Sequence, residues 1–408
     1  MTVPSSVLLV TPRWVRDGGV GAHIEASAAA LTCRGVHVSV VAARIESEER
    51  IAGVEVHHSP QLFKADVPVE QRFGQALASR PAVVHLNQLD EPEVVEYLQE
   101  RHGAPVVISA HGYLACTSGV HYFRPGQECT RAHGPGCVPN LLRCAHTRDP
   151  RNLPASYKQA GRALAALRRA DLAVSYSSAV DRHLEINAVG RRRLVPYCPT
   201  VQARSAGGHA ERRLVVCAGR VVTPKGVSTL IRAARLVDAH FVVAGDGWQL
   251  EAMHRLARRL GVQERVTFTG WLAPEALAEQ LAEASIVVVP SWWPEPFGLV
   301  GIEAFAAGRP VIASATGGIG DWLDDGVSGV MVPAGDVEAL ARALNELLDD
   351  PERQAAMGAA GRAAAAARFS PEHHVTAILD AYGAAIEHWQ SLRSQSTPSI
   401  SPATTSAL

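Results

Sequence analysis

Short apolar runs of strand length recur along this chain of 408 residues, and longer helical stretches separate them. Continuous apolar strands that alternate with helices are typical of parallel sheets covered on both faces. The sequence therefore predicts an α/β fold with two doubly wound parallel sheets. The predicted strands of the first sheet are 6–10, 36–42, 54–58, 82–86, 105–110, 172–176 and 193–197. Those of the second sheet are 214–218, 240–244, 266–270, 285–290, 310–314 and 329–332.

The length and the 47% apolar content are sufficient for two domains of ordinary size. Apolar periodicity breaks down around residues 199–212, which we expect to form the linker. The expected units are an N-terminal domain over 1–200, an irregular insert within it over 112–156, a C-terminal domain over 212–370, a C-terminal helix over 371–391 and a disordered tail over 392–408.

The stretch after the predicted strand 285–290 places two glutamates, Glu295 and Glu303, eight residues apart. Pro296 and Gly298 mark a turn, and apolar residues then repeat at helical spacing. We therefore expect Glu295 in a loop and Glu303 on the second turn of a helix. The first backbone N–H groups of that helix have no partner within it and can bind an anion or a hydroxyl. Such a site suits a sugar diphosphate, with one carboxylate at the sugar and the other at the ribose.

Four stretches of the chain resemble motifs of one enzyme family, and they occur in that family's order. The glutamate-bearing stretch resembles the E-x7-E motif of the retaining nucleotide-sugar glycosyltransferases of family four, which have the GT-B fold. Residues 18–23 resemble the N-terminal glycine loop of that family, residues 219–226 its basic diphosphate clamp, and residues 245–247 a turn of its second domain. The resemblance covers residues from about 5 to 390. All four stretches follow predicted strands, where doubly wound sheets bind ligands.

The resemblance implies a donor site in which Arg220 and Lys225 stabilise the departing diphosphate without a metal ion. A guanidinium fork and a point charge suit phosphate oxygens, and preorganised charges stabilise a transition state. Glu295 would orient the donor sugar, and Glu303 would bind the ribose. The remaining implied donor contacts are Gly19, Val20, Gly245, Phe297, Gly298, Leu299 and Val300. Solvated loop cations and solvated acids are the alternative interpretation of the charged residues.

His111 follows the predicted strand 105–110, and family members often carry a histidine there that faces the donor sugar. In the family an aspartate commonly comes next, whereas this chain has Gly112. We expect a catalytic role for His111, with a structural histidine as the alternative. The family retains the anomeric configuration, which suits a front-face mechanism in which the leaving phosphate helps to deprotonate the acceptor. A covalent route through Glu295 and a glycosidase that uses both carboxylates are the alternatives.

The insert over 112–156 is rich in Gly, Pro, His and Cys, and loops of this length are usually functional or disordered. The first domain of GT-B enzymes holds the acceptor, so the resemblance implies acceptor contacts from this insert and its surroundings. The candidate acceptor-binding residues are Asn87, Tyr113, His121 and Arg124. The resemblance also implies that the last helix crosses back onto the first domain.

Four cysteines of the insert, Cys116, Cys129, Cys137 and Cys144, are interleaved with histidines, so a structural zinc site is one hypothesis. The segment lacks the C-x2-C pairs of compact zinc sites, and a reducing compartment disfavours disulfides. We therefore expect reduced thiols, with zinc as the second interpretation and a disulfide as the third.

A net charge of −1 gives the chain no global attraction to nucleic acid or to an anionic membrane. The sequence contains no run of about 20 apolar residues and no secretory signal pattern, so we expect a cytoplasmic protein without a transmembrane segment. A basic amphipathic helix near residues 158–169 offers a peripheral membrane contact, but a solvated helix face is the expected interpretation. The oligomeric state stays open.

We expect a metal-independent retaining glycosyltransferase that requires no cofactor. It would move a hexose or aminohexose from a nucleotide diphosphate sugar, with UDP as the expected nucleotide, to a hydroxyl of a small polar acceptor such as a glycoside or a cyclitol precursor. Three alternatives remain open. They are a transferase that acts on an envelope lipid or glycan, a nucleotide-sugar epimerase, and a non-catalytic GT-B subunit that binds a nucleotide sugar.

Overall fold

The computed structural model describes residues 3–15, 19–46, 51–119, 122–140, 144, 150–200 and 213–396. Fifteen strands occur within these residues. They are β1 (Ser6–Trp14), β2 (His37–Ile45), β3 (Val54–His58), β4 (Val83–Asn87), β5 (Val106–Ala110), β6 (Tyr122–Arg124), β7 (Gln127–Glu128), β8 (Leu172–Ser175), β9 (Arg192–Leu194), β10 (Leu214–Ala218), β11 (His240–Ala244), β12 (Val266–Gly270), β13 (Ile286–Val289), β14 (Val311–Ser314) and β15 (Gly329–Val332).

Two parallel sheets account for all of these strands except β6 and β7. The N-terminal sheet has the order β3-β2-β1-β4-β5-β8-β9, and the C-terminal sheet has the order β12-β11-β10-β13-β14-β15. In both sheets the strand order reverses beside the first strand, between β1 and β4 and between β10 and β13, as in doubly wound folds. Strands β6 and β7 form a separate antiparallel hairpin. The predicted α/β fold with two parallel sheets is confirmed.

The α-helices connect the parallel strands and cover the two sheets. Within the described residues they are α1 (Gly19–Cys33), α2 (Val69–Arg72), α3 (Pro92–Glu96), α4 (Leu153–Arg169), α5 (Ser178–Ile186), α6 (Val227–Ala233), α7 (Leu250–Leu260), α8 (Pro274–Glu283), α9 (Leu299–Ala306), α10 (Val337–Leu348), α11 (Pro351–Arg368) and α12 (Pro371–Ser396). Glu303 lies on the second turn of α9, and Glu295 lies in the loop before it.

Each predicted strand of the two large sheets is present, because the central strands are mainly apolar and are buried on both faces. All five residues of β4 and of β5 are buried, and so are all four of β13 and of β14. The main difference lies in β1, which continues four residues beyond the predicted end to Trp14. Its polar end is held by pairing with β2, where Thr11 lies opposite Ala42 and Arg13 opposite Arg44.

The C-terminal helix α12 packs against α1 of the N-terminal half. Ser27 Oγ and His374 Nε2 are 2.8 Å apart, and Tyr382 Oη lies 2.8 Å from His85 Nδ1 on β4. The helix runs to Ser396, so residues 392–396 are helical, although the composition of 392–408 predicted disorder. The Arg393 guanidinium lies 4.7 Å from the ring centroid of Trp389, one turn earlier. This cation–π contact stabilises the helix beyond residue 391, where the polar tail was predicted to begin. Residues 397–408 lie outside the described residues.

Helix α9 is fixed by a close contact between a glycine and an indole. Trp322 is fully buried, and its Nε1–H donates to the backbone oxygen of Phe297 at 2.6 Å. The Trp322 ring lies against Gly301, where an added Cβ would be 2.1 Å from the ring. Only a residue without a side chain therefore fits at this point of the helix that carries Glu303.

Gly301→Ala should destabilise the protein by about 2 kcal/mol, because the new methyl group overpacks the contact with Trp322. We expect the melting temperature in a thermal unfolding experiment to fall by several degrees. Gly190→Ala is the matched control, since Gly190 is exposed and has no atom within 4 Å of an added Cβ. Equal melting temperatures for the two variants would contradict the packing described here.

Candidate functional site

A cavity of about 550 Å³, here called the cleft, is lined by residues from both halves of the chain. It lies at the carboxyl ends of the parallel strands, where doubly wound sheets bind ligands. The cleft brings together the predicted catalytic and donor-binding residues Gly19, Val20, His111, Arg220, Lys225, Gly245, Glu295, Phe297, Gly298, Leu299, Val300 and Glu303. Gly18 of the predicted glycine loop lies outside the described residues.

Glu295 forms a two-pronged ion pair with Lys225 in the cleft. Lys225 Nζ donates to Oε1 at 2.8 Å and to Oε2 at 2.9 Å. The Ser291 hydroxyl donates to Oε2 at 2.7 Å, and the Trp293 indole N–H donates to the same oxygen at 3.0 Å. The carboxylate is almost fully buried, with 5% of its side chain exposed, whereas the Lys225 side chain is 25% exposed.

The charge of Glu295 is maintained by these neighbours. Burial by itself would raise the pKa of this carboxyl group, but the charge and hydrogen bonds of Lys225, with the hydrogen bonds from Ser291 and Trp293, bring the pKa below its ordinary value. Glu295 is therefore ionised at neutral pH. All of its hydrogen-bond donors come from the C-terminal half, so the ion pair belongs to the wall of the cleft that this half supplies.

Glycines allow the backbone around the ion pair to approach closely. Gly226, directly after Lys225, has a φ of +67°, and an added Cβ would lie 1.9 Å from the Pro290 carbonyl oxygen. Gly245 has a φ of +146°, and its added Cβ would lie 2.0 Å from the Gly219 carbonyl oxygen. Both positions need glycine for conformation and for space. The turns after β10, β11 and β13 are thereby held together at one edge of the sheet.

Arg220 lies on the same wall of the cleft and is exposed. Its guanidinium forms no hydrogen bond or ion pair with the residues that the structure describes. Helix α9 begins after Gly298, which has a φ of +89°, and its first residues, Leu299 and Val300, line the cleft. An exposed guanidinium and open backbone N–H groups are suitable partners for an anionic ligand.

Glu303 is bonded to the end of the N-terminal half. The Thr200 hydroxyl donates to Glu303 Oε1. Burial raises the pKa of Glu303, and the hydrogen bonds from Thr200 only partly offset that effect. Thr200 lies at the edge of the predicted linker, so Glu303 is the glutamate of the motif that contacts the end of the N-terminal half.

His111 lines the cleft, but both of its ring nitrogens are engaged. Asn87 Oδ1 can only accept and lies 2.9 Å from Nε2, so Nε2 carries the proton and Nδ1 accepts from the Tyr197 hydroxyl at 2.8 Å. Burial, with a smaller contribution from His374, lowers the pKa of His111 to about 3, so the ring is neutral at physiological pH. A catalytic role for His111 stays a prediction.

The predicted acceptor-binding residues are not gathered in the cleft. Asn87 is buried with 2% of its surface exposed, beneath His111, and Tyr113 is buried with 3% exposed. The Tyr113 ring packs edge to face against Trp293 and His183. Neither residue lines the cleft. His121 and the side chain of Arg124 lie outside the described residues.

The insert nevertheless reaches the C-terminal half at the loop that carries Glu295. The Gly126 N–H donates to the Trp292 carbonyl oxygen at 3.2 Å, and the Gly317 N–H donates to Glu128 Oε1 at 2.9 Å. A second tie joins the halves at Asp321, whose Oδ2 and Oδ1 accept from the backbone N–H and the hydroxyl of Ser178 at 2.7 and 2.6 Å. These bonds set the separation of the two walls of the cleft.

The four cysteines of the insert line one small cavity of about 20 Å³, together with His183. Within the part of the chain that the structure describes, no three His, Cys, Asp or Glu side chains are placed so that they could hold a metal ion. The geometry therefore gives the zinc hypothesis no support. Burial raises the pKa of Cys129, so its thiol is the protonated, unreactive form at neutral pH. Reduced thiols stay the prediction.

Two of the four cations on α4, Arg162 and Arg169, are paired with acids on or just after α3 of the same chain. Arg162 forms two hydrogen bonds of 2.8 Å with the carboxylate of Glu93, and Arg169 forms an ion pair of 2.5 Å with Glu100. This pairing reduces, but does not remove, the positive charge that α4 offers to an anionic membrane. Among the described residues, no helix is both long and apolar enough to cross a lipid bilayer.

Several cleft residues were missed by the sequence reasoning. Ser291 and Trp293, which donate hydrogen bonds to Glu295, lie in the stretch Pro290–Pro294 directly before the motif. Their polar groups follow the end of a predicted strand, and this position could have identified them as cleft residues. Thr200 was missed because it lies at the edge of the predicted linker. Arg13 and Gln88 also line the cleft, from the N-terminal half, and follow predicted strands without belonging to any motif.

Two family models match the chain. The model described as Glycosyl transferases group 1 matches residues 202–364, and the model described as Glycosyl transferase 4-like domain matches residues 18–132. The solved structure of sucrose-phosphate synthase from Thermosynechococcus elongatus is similar with a TM-score of 0.69 and 22% identity, over 96% of this chain and 99% of that chain. At this identity the likeness shows the fold alone.

Two curated relatives differ in how much of each chain is matched. The chain is 30% identical over 406 residues to the D-inositol 3-phosphate glycosyltransferase of Stackebrandtia nassauensis. This match covers 91% of this chain and 87% of the relative. It is 39% identical over 170 residues to the GDP-mannose-dependent alpha-(1-6)-phosphatidylinositol monomannoside mannosyltransferase of Mycolicibacterium smegmatis, which covers 39% of this chain and 44% of the relative. The match to the mannosyltransferases thus spans less than half of their length.

Lys225→Met should destabilise the protein in a pH-dependent way. The pKa of Glu295 is lowered in the fold, so the ion pair stabilises the wild type above the ordinary carboxyl pKa, and this contribution is lost as the pH falls through the lowered pKa. Without Lys225, burial raises the pKa of Glu295, and ionisation costs the variant stability as the pH rises. We expect a deficit of about 2 kcal/mol at pH 7 that shrinks towards pH 4.

Unfolding midpoints measured in steps from pH 4 to pH 8 test this dependence. The double variant Lys225→Met with Glu295→Gln is the control, because it has no carboxylate to ionise and its deficit should be nearly independent of pH. A single-variant deficit of equal size at every pH would show that Lys225 does not maintain the charge of Glu295.

Proposed function

The chain belongs to glycosyltransferase family four, with the GT-B fold, and on that premise we propose that it transfers a hexose or aminohexose from a nucleoside diphosphate sugar to an acceptor hydroxyl. We propose that the reaction retains the anomeric configuration and needs no metal ion. The observation that carries the proposal is the Lys225–Glu295 ion pair, which lies in a cleft between the two halves beside an exposed Arg220.

The departing diphosphate is the first group that the site has to stabilise. Its charge grows as the bond to the sugar breaks, and fixed cations and N–H dipoles oppose that charge most strongly where water is excluded. Arg220, Lys225 and the first residues of α9 all line the cleft. Two cations that meet one diphosphate make the metal-free route chemically reasonable.

Glu295 is suited to holding the sugar rather than to attacking it. Four hydrogen bonds, from Lys225, Ser291 and Trp293, already engage its two oxygens. Such bonds stabilise the carboxylate and reduce its power as a nucleophile, and they fix its position for binding sugar hydroxyls. This arrangement favours front-face transfer, in which the acceptor oxygen approaches from the side of the leaving phosphate and gives its proton to that phosphate.

Two nucleotides are candidates for the donor. The sequence led us to expect UDP, whereas the relative from Mycolicibacterium smegmatis is named as GDP-mannose-dependent. The end of the cleft formed by Trp271, Leu272 and Pro274 lies after β12, next to Gly245, and we propose that it holds the base. An exposed indole can stack on either base, so both nucleotides enter the experiment below.

For the acceptor we propose a small cyclitol or its phosphate. The relative that matches most of the chain is named for D-inositol 3-phosphate, and this supports a polar acceptor. A glycolipid acceptor is the second candidate, because the mannosyltransferase is named for a phosphatidylinositol mannoside. The ion pairs on α4 weigh against it, since a lipid-linked acceptor is most easily reached by a protein with a free basic face.

Thermal unfolding against UDP, GDP, ADP and TDP, in EDTA, tests the donor site. A ligand at 100 times its Kd stabilises a protein by about 2.7 kcal/mol, which raises the melting temperature by several degrees. We expect one nucleotide to do so for the wild type and for Arg259→Ala, a variant of an arginine on α7 outside the cleft, but not for Lys225→Ala or Arg220→Ala. The proposal would be contradicted if none of the nucleotides raised the melting temperature of the wild type. It would also be contradicted if a nucleotide raised the melting temperatures of all variants equally.

The sugar form of the stabilising nucleotide then tests the reaction. Proton NMR of the product formed with D-inositol 3-phosphate or myo-inositol should show the same anomeric configuration as the donor. An inverted product would contradict front-face transfer. Release of free sugar without acceptor, or of an isomeric nucleotide sugar, would favour the hydrolase or the epimerase instead.

A further inference from the structure

Gln88 has a backbone conformation that its side chain disfavours. Its φ is +63°, in the left-handed region where residues other than glycine and asparagine are uncommon. Among the described residues, two further non-glycine residues have a positive φ, Arg80 and Ala188. Both are exposed and lie in connecting turns away from the cleft. Gln88 differs from them because it lines the cleft.

The fold explains the conformation but not the choice of residue. Asn87, at the end of β4, is buried and accepts the hydrogen bond of His111, and Leu89 is buried with 1% of its surface exposed. The chain must turn sharply between them, and a left-handed residue provides that turn. Glycine would adopt it without strain, and asparagine with little. The presence of glutamine therefore indicates that its side chain has a role.

The Gln88 side chain is available for that role. It is exposed, and its carboxamide forms no hydrogen bond with the part of the chain that the structure describes. It lies on the wall supplied by the N-terminal half, with Thr11 and Arg13. The C-terminal half supplies Arg220, Lys225 and Glu295 to the other wall of the cleft. A carboxamide offers two donor hydrogens and one acceptor oxygen, which together match a pair of neighbouring hydroxyl groups.

We infer that Gln88 binds the acceptor, and that its carboxamide selects a polyhydroxylated molecule by bonding to hydroxyls near the one that reacts. This inference rests on the proposed function and deepens it, because it names a residue of the acceptor site that no motif contains. A site that hydrogen-bonds a hydroxyl strongly rejects an analogue that lacks it, so Gln88 should also set specificity.

Three variants separate the side chain from the backbone. Gln88→Ala removes the carboxamide and keeps the Cβ that causes the strain. Gln88→Gly removes both, and Gln88→Asn keeps a shorter carboxamide in a residue that tolerates the conformation. The assay uses GDP-mannose and UDP-glucose as donors, and D-inositol 3-phosphate and myo-inositol as acceptors. Initial rates give KM for each substrate, and thermal unfolding gives the melting temperature.

We expect Gln88→Ala and Gln88→Gly to raise the acceptor KM about tenfold or more, which is the usual effect of losing hydrogen bonds to a bound ligand. The donor KM and the melting-temperature shift caused by the nucleotide should stay at wild-type values. Gln88→Gly should also raise the melting temperature of the free protein by about 2–4 °C through relief of strain, and Gln88→Ala should not. Gln88→Asn should lie between the wild type and Gln88→Ala in acceptor KM.

The outcomes distinguish this inference from the proposed function. Wild-type transfer with an unchanged acceptor KM in Gln88→Ala and Gln88→Gly would overturn the role of Gln88 and leave the proposed function intact. A rise in KM for donor and acceptor alike would show a general distortion of the cleft and would also overturn it. If the wild type transfers neither sugar to either acceptor, the proposed acceptor class fails, and the inference fails with it.

Discussion

The buried carboxylate of Glu295 is the constraint on which the cleft depends. A carboxylate that is almost fully removed from water is costly unless charge and hydrogen bonds compensate it. Lys225 supplies the charge, and Ser291 and Trp293 supply two further bonds. These partners come from the turns after β10 and β13, so neighbouring strand ends have to meet at one point. The glycines at positions 226 and 245 make that meeting possible.

The second requirement is that the two halves face each other at a fixed separation. Three contacts far apart in sequence provide it: Thr200 with Glu303, Ser178 with Asp321, and Glu128 with the Gly317 backbone. Each of them places a residue of the N-terminal half against helix α9 or against residues 317–321 of the C-terminal half. Helix α12 adds a fourth connection, because it follows the C-terminal half and packs on α1. Under the proposed function, a sugar held at Glu295 would face the opposite wall.

Local patterns were enough to predict the strands and the loop and helix that carry the two glutamates, whereas long-range contacts were not accessible from one sequence. The apolar runs predicted the strands of both sheets because burial on both faces leaves a continuous apolar signal. Helical spacing correctly placed Glu303 on the second turn of its helix. In contrast, Asn87 and Tyr113 were expected at the acceptor, but tertiary packing buries both. The φ of Gln88 arises from the burial of its two neighbours, which no local motif reports.

The most direct test of the account is the affinity of Glu295→Gln for the nucleoside diphosphate that binds the wild type, measured by calorimetry in EDTA. A nucleotide without its sugar has no hydroxyl for Glu295 to hold, so Glu295 acts on it only by competing for Lys225. We therefore predict that Glu295→Gln binds the nucleotide about fivefold more tightly, a gain of about 1 kcal/mol, while sugar transfer is lost. Weaker nucleotide binding by Glu295→Gln, or transfer at the wild-type rate, would contradict the central role of the ion pair.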